Sequence, residues 1–319
     1  MSDVEAIAAE ALRQAGDTTP LAEWQPVSGG MISQTARIRS RRGEYLLKWG
    51  GRGLPGFFAA EARGLELLAA AQAVRVPQVL AFEDFDRAKN QGPRTERHDH
   101  DSDSQFSVLG ADGFILLEWL EPPPRADRSA AFEQLGRALA ALHRASAPQH
   151  GLDHDNYLGI VPQQNGWQEN WALFFRDRRL RPQGELAQRN GHMRGERAHH
   201  FKRLLGNVES LLADHTPLAS LLHGDLWSGN VLVGPGGAPA LVDPAVSYSD
   251  REAELGYTAL FGGFPEQFYR AYEETWPLPD GWRERRELYN LYHLVNHLNH
   301  FGESYGGAVD ATLRRLVGR

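Results

Sequence analysis

The chain contains no cysteine among its 319 residues. That absence excludes disulfides, thiolate nucleophiles, Cys-bound zinc and iron–sulfur clusters. Basic charge is not in excess either: Lys and Arg number 34 against 41 Asp and Glu, a formal net charge of −7. A nucleic-acid partner held by a broad basic face is therefore not expected. No apolar run approaches the ~20 residues that cross a bilayer. The N-terminal MSDVEAIAAEALRQAG is acidic and lacks the basic-then-apolar layout of a signal peptide. These absences predict a soluble, cytoplasmic protein without a membrane partner. No internal repeat is visible, which argues against a solenoid or propeller.

What remains is a globular balance, with 41% hydrophobic and 24% charged residues. The length suggests about two domains. Residues 3–15 read as a short amphipathic helix. Strand-like segments follow at Glu23–Val27, Thr35–Arg39 and Glu44–Trp49, joined by SGGMIS and SRRG turns that suit antiparallel hairpins. Phe57–Ala73 reads as a helix, and Pro77–Phe85 and Gly113–Leu120 as two more strands. The run EPPPRADRS at 121–129 is the expected boundary, because three prolines stop a strand and stiffen the crossing. Beyond it the pattern turns helical: a face of Phe132, Leu135, Leu139, Leu142 and His143, then Trp167–Arg179, Glu185–Ala213, Glu252–Thr275, Trp282–Phe301 and Asp310–Leu316. A compact β region interrupts at Ser220–Asp243. The expected fold is α+β, with residues 1–120 as a small lobe, a five-stranded antiparallel sheet with one main helix, and residues 121–319 as a larger, mostly helical lobe.

Two features invite readings that we set aside. Gly51-Arg-Gly53-Leu-Pro-Gly56 satisfies the dinucleotide-binding spacing, but the strand before it is the third, carries Lys48, and no acidic residue closes a second strand about 20 residues on. Residues 86–107 form a polar insertion whose His98, Asp99, His100, Asp101 and Asp103 could ligate a metal. Its Asp- and Ser-rich composition fits a solvated loop better.

The chemistry concentrates in LLHGDLWSGNVLV, residues 221–233, and ALVDPA, residues 240–245. Asp225 and Asn230 are five apart, and Asp243 follows at the end of a short apolar strand. Protein kinases use H-R-D-x-x-x-x-N and then D-F-G in the same order. One carboxylate accepts the proton of an attacking hydroxyl, while an amide oxygen and a second carboxylate hold Mg²⁺ against nucleotide phosphates. The N-terminal half supplies Lys48 on the third strand and Glu61 on one face of the following helix. A carboxylate on an apolar face is costly unless paired, and Lys48 is its natural partner. Gly29 and Gly30, with Met31, lie in a hairpin loop whose backbone N–H groups could approach phosphates. Loop, Lys48, Glu61, Asp225, Asn230 and Asp243 together point to a phosphotransferase using ATP and Mg²⁺. His223 is read as structural, with its ring fixing backbone carbonyls. Trp167, Trp171, Phe174 and Phe175 are read as core. His293, His297 and His300 have zinc-like helical spacing, but packing or a hydrogen-bonding face is the preferred reading.

More specific runs resemble the fructosamine kinase (ketosamine-3-kinase) family: HGDLWSGN at 223–230, VDPA at 242–245, SYSDREAELGYTALFGGFPEQFYRAY at 247–272, NYLGIVPQQNGWQENWALFFRDRRLRPQ at 156–183 and NHLNHFGESY at 296–305. The resemblance covers about residues 20–305 apart from the insertion, and it implies a protein-kinase-like two-lobe fold. The implied activity is ATP-dependent phosphorylation of the 3-hydroxyl of ketosamines (ribulosamines, erythrulosamines or fructosamines) on small amines or glycated proteins. The labile 3-phosphate would then release the free amine, which is deglycation. On this reading Asp225 is the base, Asn230 and Asp243 hold Mg²⁺, Lys48 meets the α/β-phosphates and Glu61 orients it. Glu118, Trp119 and Leu120 form the adenine hinge, His297 faces the sugar, and Trp227 either packs on the sugar or is an aromatic core residue. Where family members often carry Cys in the Gly-rich loop, Met31 stands, so thiol-based regulation is excluded. The chain is read as a monomer or weak homodimer. The alternatives are an aminoglycoside- or choline-type kinase, for which Glu252 and Glu254 would supply acceptor-site carboxylates, or a non-catalytic nucleotide-binding module of the same fold.

Overall fold

The computed structural model describes residues 3–27, 33–51, 53–84, 113–123 and 127–318. The 86–107 insertion and the Gly29, Gly30 and Met31 loop lie outside the described residues. The chain forms two compact units, one of residues 1–66 and 77–121, the other of residues 67–76 and 122–319.

In the first unit, α1 (Asp3–Gln14) precedes β1 (Glu23–Pro26), β2 (Gln34–Arg39) and β3 (Glu44–Gly50). Then come α2 (Phe57–Ala70), whose last residues count with the second unit, β4 (Val79–Glu83) and β5 (Gly113–Glu118). The five strands pair antiparallel throughout in the order β1-β2-β3-β5-β4. Side chains alternate across a strand. Ala36, Ile38, Leu47, Trp49, Phe114 and Leu116 therefore share one face and bury Ala8, Ala11 and Leu12 of α1. Lys48, between Leu47 and Trp49, is turned to the opposite face. The Gly51, Gly53 and Gly56 connection leads from an antiparallel strand into α2, so the parallel βαβ context of a dinucleotide fold is missing. All three glycines have left-handed φ.

The second unit opens with α3 (Arg128–Leu142), capped by Asp127 through the Ala130 N–H. Next are β6 (Ser146–Ala147), the hairpin β7 (Asn156–Leu158) and β8 (Val161–Gln163), and α4 (Trp171–Phe174). A wide π-helical segment, Phe175–Leu180, passes into α5 (Arg181–Arg189), and α6 (Gly195–Leu211) follows. Strands β9 (Ala219–Leu222), β10 (Val231–Val233), β11 (Pro239–Leu241) and β12 (Ser247–Ser249) build the site region. Helices α7 (Arg251–Thr258), α8 (Glu266–Thr275), α9 (Trp282–Phe301) and α10 (Gly306–Val317) complete the chain. One core joins α4–α6, α9 and α10; another joins α3 and α8 with β9–β11. At the α3–α8 crossing Gly136 is required, since a Cβ there would lie 2.3 Å from the Phe268 carbonyl oxygen. Among the described residues no helix is long and apolar enough to cross a membrane.

Three predicted helices need correction. Glu185–Ala213 is two helices, because Gly191 takes a left-handed φ of 80° after Asn190 and ends α5. Glu252–Thr275 is also two, broken by left-handed Gly262 and Gly263 and then Pro265. The helix expected from Trp167 starts only at Trp171, where Asn170 caps it through the Leu173 N–H. Trp167 therefore sits before the helix at 44% exposure and is not core, unlike Trp171, Phe174 and Phe175.

Candidate active site

In the first unit, Lys48 Nζ lies 2.6 Å from Glu61 Oε1, with the residues 6% and 9% exposed. Neither charge would be tolerated there alone, and pairing removes the penalty of leaving either one unmatched. The register places Lys48 between Thr35 and Ile115 on the neighbouring strands. Asp84 fixes the start of α2 by accepting the Phe58 and Ala59 N–H groups at 2.8 and 3.2 Å. Glu118 closes β5. Its N–H donates to the Gln78 carbonyl at 2.9 Å, and its carboxylate accepts the Gln78 N–H at 3.2 Å. Trp119 donates from Nε1 to Glu121 at 2.7 Å beneath the Arg37 guanidinium, and Leu120 is buried.

In the second unit the site grows from the end of β9. Gly224 has φ of 84°, and a Cβ on it would lie 2.0 Å from the Ala245 carbonyl oxygen, so only glycine fits. The buried Glu254 carboxylate on α7 accepts the Gly224 N–H at 2.6 Å and the His223 N–H at 3.2 Å. It also accepts His143 Nε2 at 2.9 Å, and the other His143 nitrogen meets the Tyr272 hydroxyl at 2.8 Å. Burial acts to raise the Glu254 pKa, but the His143 bond and the imidazoles and N–H groups around it hold it below the usual carboxylate value. His223 is fully buried, and burial lowers its pKa. Its Nδ1 accepts the Asp225 N–H at 3.3 Å, which puts the proton on Nε2, 2.9 Å from the Val242 carbonyl oxygen. His223 therefore ties the Asp225 loop to the segment entering Asp243.

Asp225 and Asn230 are brought together. The Asn230 Nδ2 donates to the Asp225 carbonyl at 2.8 Å and to its Oδ2 at 3.2 Å. That spends the amide nitrogen on Asp225 and leaves Oδ1 as the atom Asn230 offers a cation. Burial pushes the Asp225 carboxyl up to about 6; bonds from Tyr257 and Asn230 oppose the rise, while Asp243 adds to it. Asp243 is exposed at the end of the β11 segment with φ of 57°, a left-handed conformation uncommon for a non-glycine residue. An amide oxygen beside carboxylates is a hard, all-oxygen donor set of the kind Mg²⁺ takes.

Trp227 is 40% exposed, so the core reading fails for it, and its ring lies against Gly229. His297 is half-buried on α9, with Nδ1 2.8 Å from the His293 carbonyl oxygen and its ring 4.6 Å from Phe261. The zinc-like histidine trio does not converge: His293 stacks on Tyr257 at 3.6 Å, and His300 turns Nδ1 to the Asn296 carbonyl oxygen and Nε2 to the Ile160 N–H. One group of metal-ligating types does occur among the described residues, His215 with Asp250 and Glu252. Its carboxylates are engaged by Tyr289 and by a bidentate Arg285, so it reads as a buried polar network. His143 and Tyr257 were missed as site neighbours, and Glu254, expected only as an acceptor-site carboxylate of the aminoglycoside-type alternative, instead holds the loop N–H groups. The available signal was an acidic residue, Glu254, set between apolar neighbours of an amphipathic helix.

An antiparallel sheet carrying a buried Lys–Glu pair, together with an Asp–Asn loop and a following Asp, defines a kinase-like phosphotransferase. Comparison with known proteins narrows the class. A fructosamine kinase family model matches residues 3–319. A probable ketoamine kinase of Enterococcus faecium is 40% identical over 291 residues, covering 91% of this chain and 94% of that protein. One from Synechocystis sp. is 36% identical over 317 residues, covering 98% and 96%. A Haemophilus somnus structure described as a fructosamine-3-kinase superposes with a TM-score of 0.81 at 26% identity, covering 97% of this chain and 96% of that one. An aminoglycoside phosphotransferase shares the fold alone, with a TM-score of 0.62 at 15% identity and 98% coverage of each chain. The chain belongs to the fructosamine kinase family, and it is a kinase.

Proposed function

We propose that the protein transfers the γ-phosphoryl group of ATP to the 3-hydroxyl of a ketosamine, on a small amine or a glycated protein. The observation that carries this reading is the Asp225–Asn230 contact followed by the left-handed Asp243, in a chain of this family. Asp225 takes the proton of the sugar hydroxyl as its oxygen bonds to phosphorus, and ADP leaves. The Asn230 amide oxygen and the Asp243 carboxylate hold Mg²⁺, which when bound neutralises charge on the phosphates. Lys48 serves the α/β-phosphates and Glu61 keeps its ammonium in place. The backbone of Glu118–Leu120 meets adenine. Trp227 offers its exposed ring to a sugar face, and His297 contributes a polar edge. The product 3-phosphate is labile and breaks down to the free amine, which makes the role deglycation.

Glu252 and Glu254 bear on the choice of acceptor. Aminoglycoside acceptors are polycations that need carboxylates, yet Glu252 is bound to Arg285 and Glu254 to His143 and the loop N–H groups. That argues against a polycationic acceptor. The test is ATP consumption with ribulose-, erythrulose- and fructose-lysine beside kanamycin and choline. Turnover is expected with at least one ketosamine and neither control; turnover with kanamycin or choline alone overturns the reading, and nucleotide binding without any turnover marks a binding module.

A further inference from the structure

The run at 156–183 carries part of the family resemblance, and the chemistry above assigns it no task. Its hairpin β7–β8 and the segment after it bury Asn156, Gln163, Asn165 and Arg179. Two of these amides end on the backbone just after Asp243: Asn156 Nδ2 donates to the Val246 carbonyl at 2.9 Å, and Gln163 Nε2 to the Ala245 carbonyl at 3.1 Å. Both amides are held in turn. The Asn156 Oδ1 accepts from Gln163 at 2.9 Å and from Asn165 at 2.8 Å. The Gln163 Oε1 accepts the buried Tyr292 hydroxyl at 2.7 Å. Asn165 Oδ1 accepts Arg179 at 2.7 Å, and the same guanidinium donates to the Gln164 carbonyl and lies 4.6 Å over the Phe174 ring. Arg179 belongs to the π-helical segment between α4 and α5, a local widening often found at functional places.

Ala245 is the junction. Its N–H donates to the His223 carbonyl at 2.8 Å, and its own carbonyl oxygen sits where a Gly224 side chain would be. The left-handed Asp243 lies between two attachments: His223 grips Val242 before it, and the hairpin amides grip Ala245 and Val246 after it. A non-glycine residue persists in that conformation when its surroundings over-determine it. We propose that the 156–179 segment is a backbone clamp that fixes the Asp243 loop for metal binding, with Gln163 and Asn156 as positioning residues and Arg179 as their anchor.

This rests on the reading of Asp243 as a metal ligand, so the two are tested separately. Gln163→Leu keeps the bulk and removes three hydrogen bonds, the two donated by Nε2 and the one Oε1 accepts from Tyr292. Hydrogen–deuterium exchange of the nucleotide-free protein is expected to rise over residues 242–247 and stay unchanged in α6, which a general loss of stability would also expose. Mn²⁺ affinity, read by electron paramagnetic resonance with ADP present, is expected to fall about 10–100-fold, the usual cost of losing support behind a metal ligand. Tyr292→Phe removes one hydroxyl and keeps the ring, and it is expected to move both readouts in the same direction by less; it decides the matter if Gln163→Leu does not fold. Wild-type exchange over 242–247 together with wild-type Mn²⁺ affinity in the folded variants overturns the clamp. Asp243→Asn that still holds Mn²⁺ like the wild type overturns the metal reading instead, and the exchange result then judges the clamp alone.

Discussion

As the proposed base, Asp225 is asked to do two things that conflict. A base works best with a pKa near the working pH, and burial supplies that by pushing the carboxyl up to about 6. The same burial would neutralise and release a carboxyl that had no partners, and Asn230 and Tyr257 oppose this by bonding its charged form. Replacing it by alanine leaves the loop anchored, because Glu254 holds backbone N–H groups and not the Asp225 side chain. Asp225→Ala is therefore expected to lower kcat by about 10²–10⁴-fold, the range for a lost general base, with nucleotide affinity close to wild type by equilibrium titration. Asp17 is the opposite case. Burial works to raise its pKa, but bonds from Ser40, Thr19 and Tyr45 outweigh it and hold the carboxyl at about 2. A depressed carboxyl stabilises the fold above its unfolded pKa near 4, and that contribution is lost as pH falls through about 2. Asp17→Asn should cost about 2 kcal/mol at pH 7 and flatten the wild-type loss of stability between pH 4 and 2, as read by urea unfolding. An unchanged acid limb would reject the assignment.

At the scale of elements, glycine separates turns that only bend from turns that admit another strand. Gly224→Ala places a methyl group on a carbonyl oxygen and forces a left-handed φ on alanine. Unfolding free energy should drop by well over ~1 kcal/mol, and turnover should collapse with it, since the clash lies one residue before Asp225. Gly206, on the exposed side of α6 with nothing within 4 Å of an added Cβ, predicts the reverse. Gly206→Ala should add about 0.5–1 kcal/mol with unchanged kcat, checked by thermal melts of the two variants side by side. The same residue type explains where sequence reading failed. Turn-bounded short apolar segments carried the five-stranded sheet, and periodicity carried α9, where Leu, Tyr and Val recur along one helical face. It carried the pattern straight through Gly191 and through Gly262–Gly263, since an apolar stripe continues on both sides of each break. Strands β6, β7, β8 and β12, of two or three residues each, are too short for alternation to register.

Across the whole chain, what could be read in advance was chemistry with a fixed spacing. Asp225, Asn230 and Asp243 are close enough in sequence that loop geometry alone gathers the first two, and Glu61, on an apolar helix face, demanded a cation that Lys48 supplies. The meeting of Glu254 with His143 was not legible, since 111 residues separate them and only the fold joins them. That division shapes a test on the intact protein. A ligand that binds only the folded state raises its stability by about 2.7 kcal/mol at a hundred times its Kd. Mg²⁺ with ATP should therefore raise the melting temperature of the wild type. Asp225→Ala should show the same rise, because the base makes no contact with nucleotide in this mechanism. Lys48→Met and Asp243→Asn should lose most of it while keeping well-defined transitions: the first gives up the phosphate cation, the second a metal ligand. Lys48→Met breaks the buried Lys48–Glu61 pair, so its baseline should fall by about 3–5 kcal/mol, and the comparison is the ligand-induced shift of each variant rather than its absolute midpoint. A full shift in Lys48→Met would take the nucleotide away from the first unit and leave the Lys–Glu pair as structure alone.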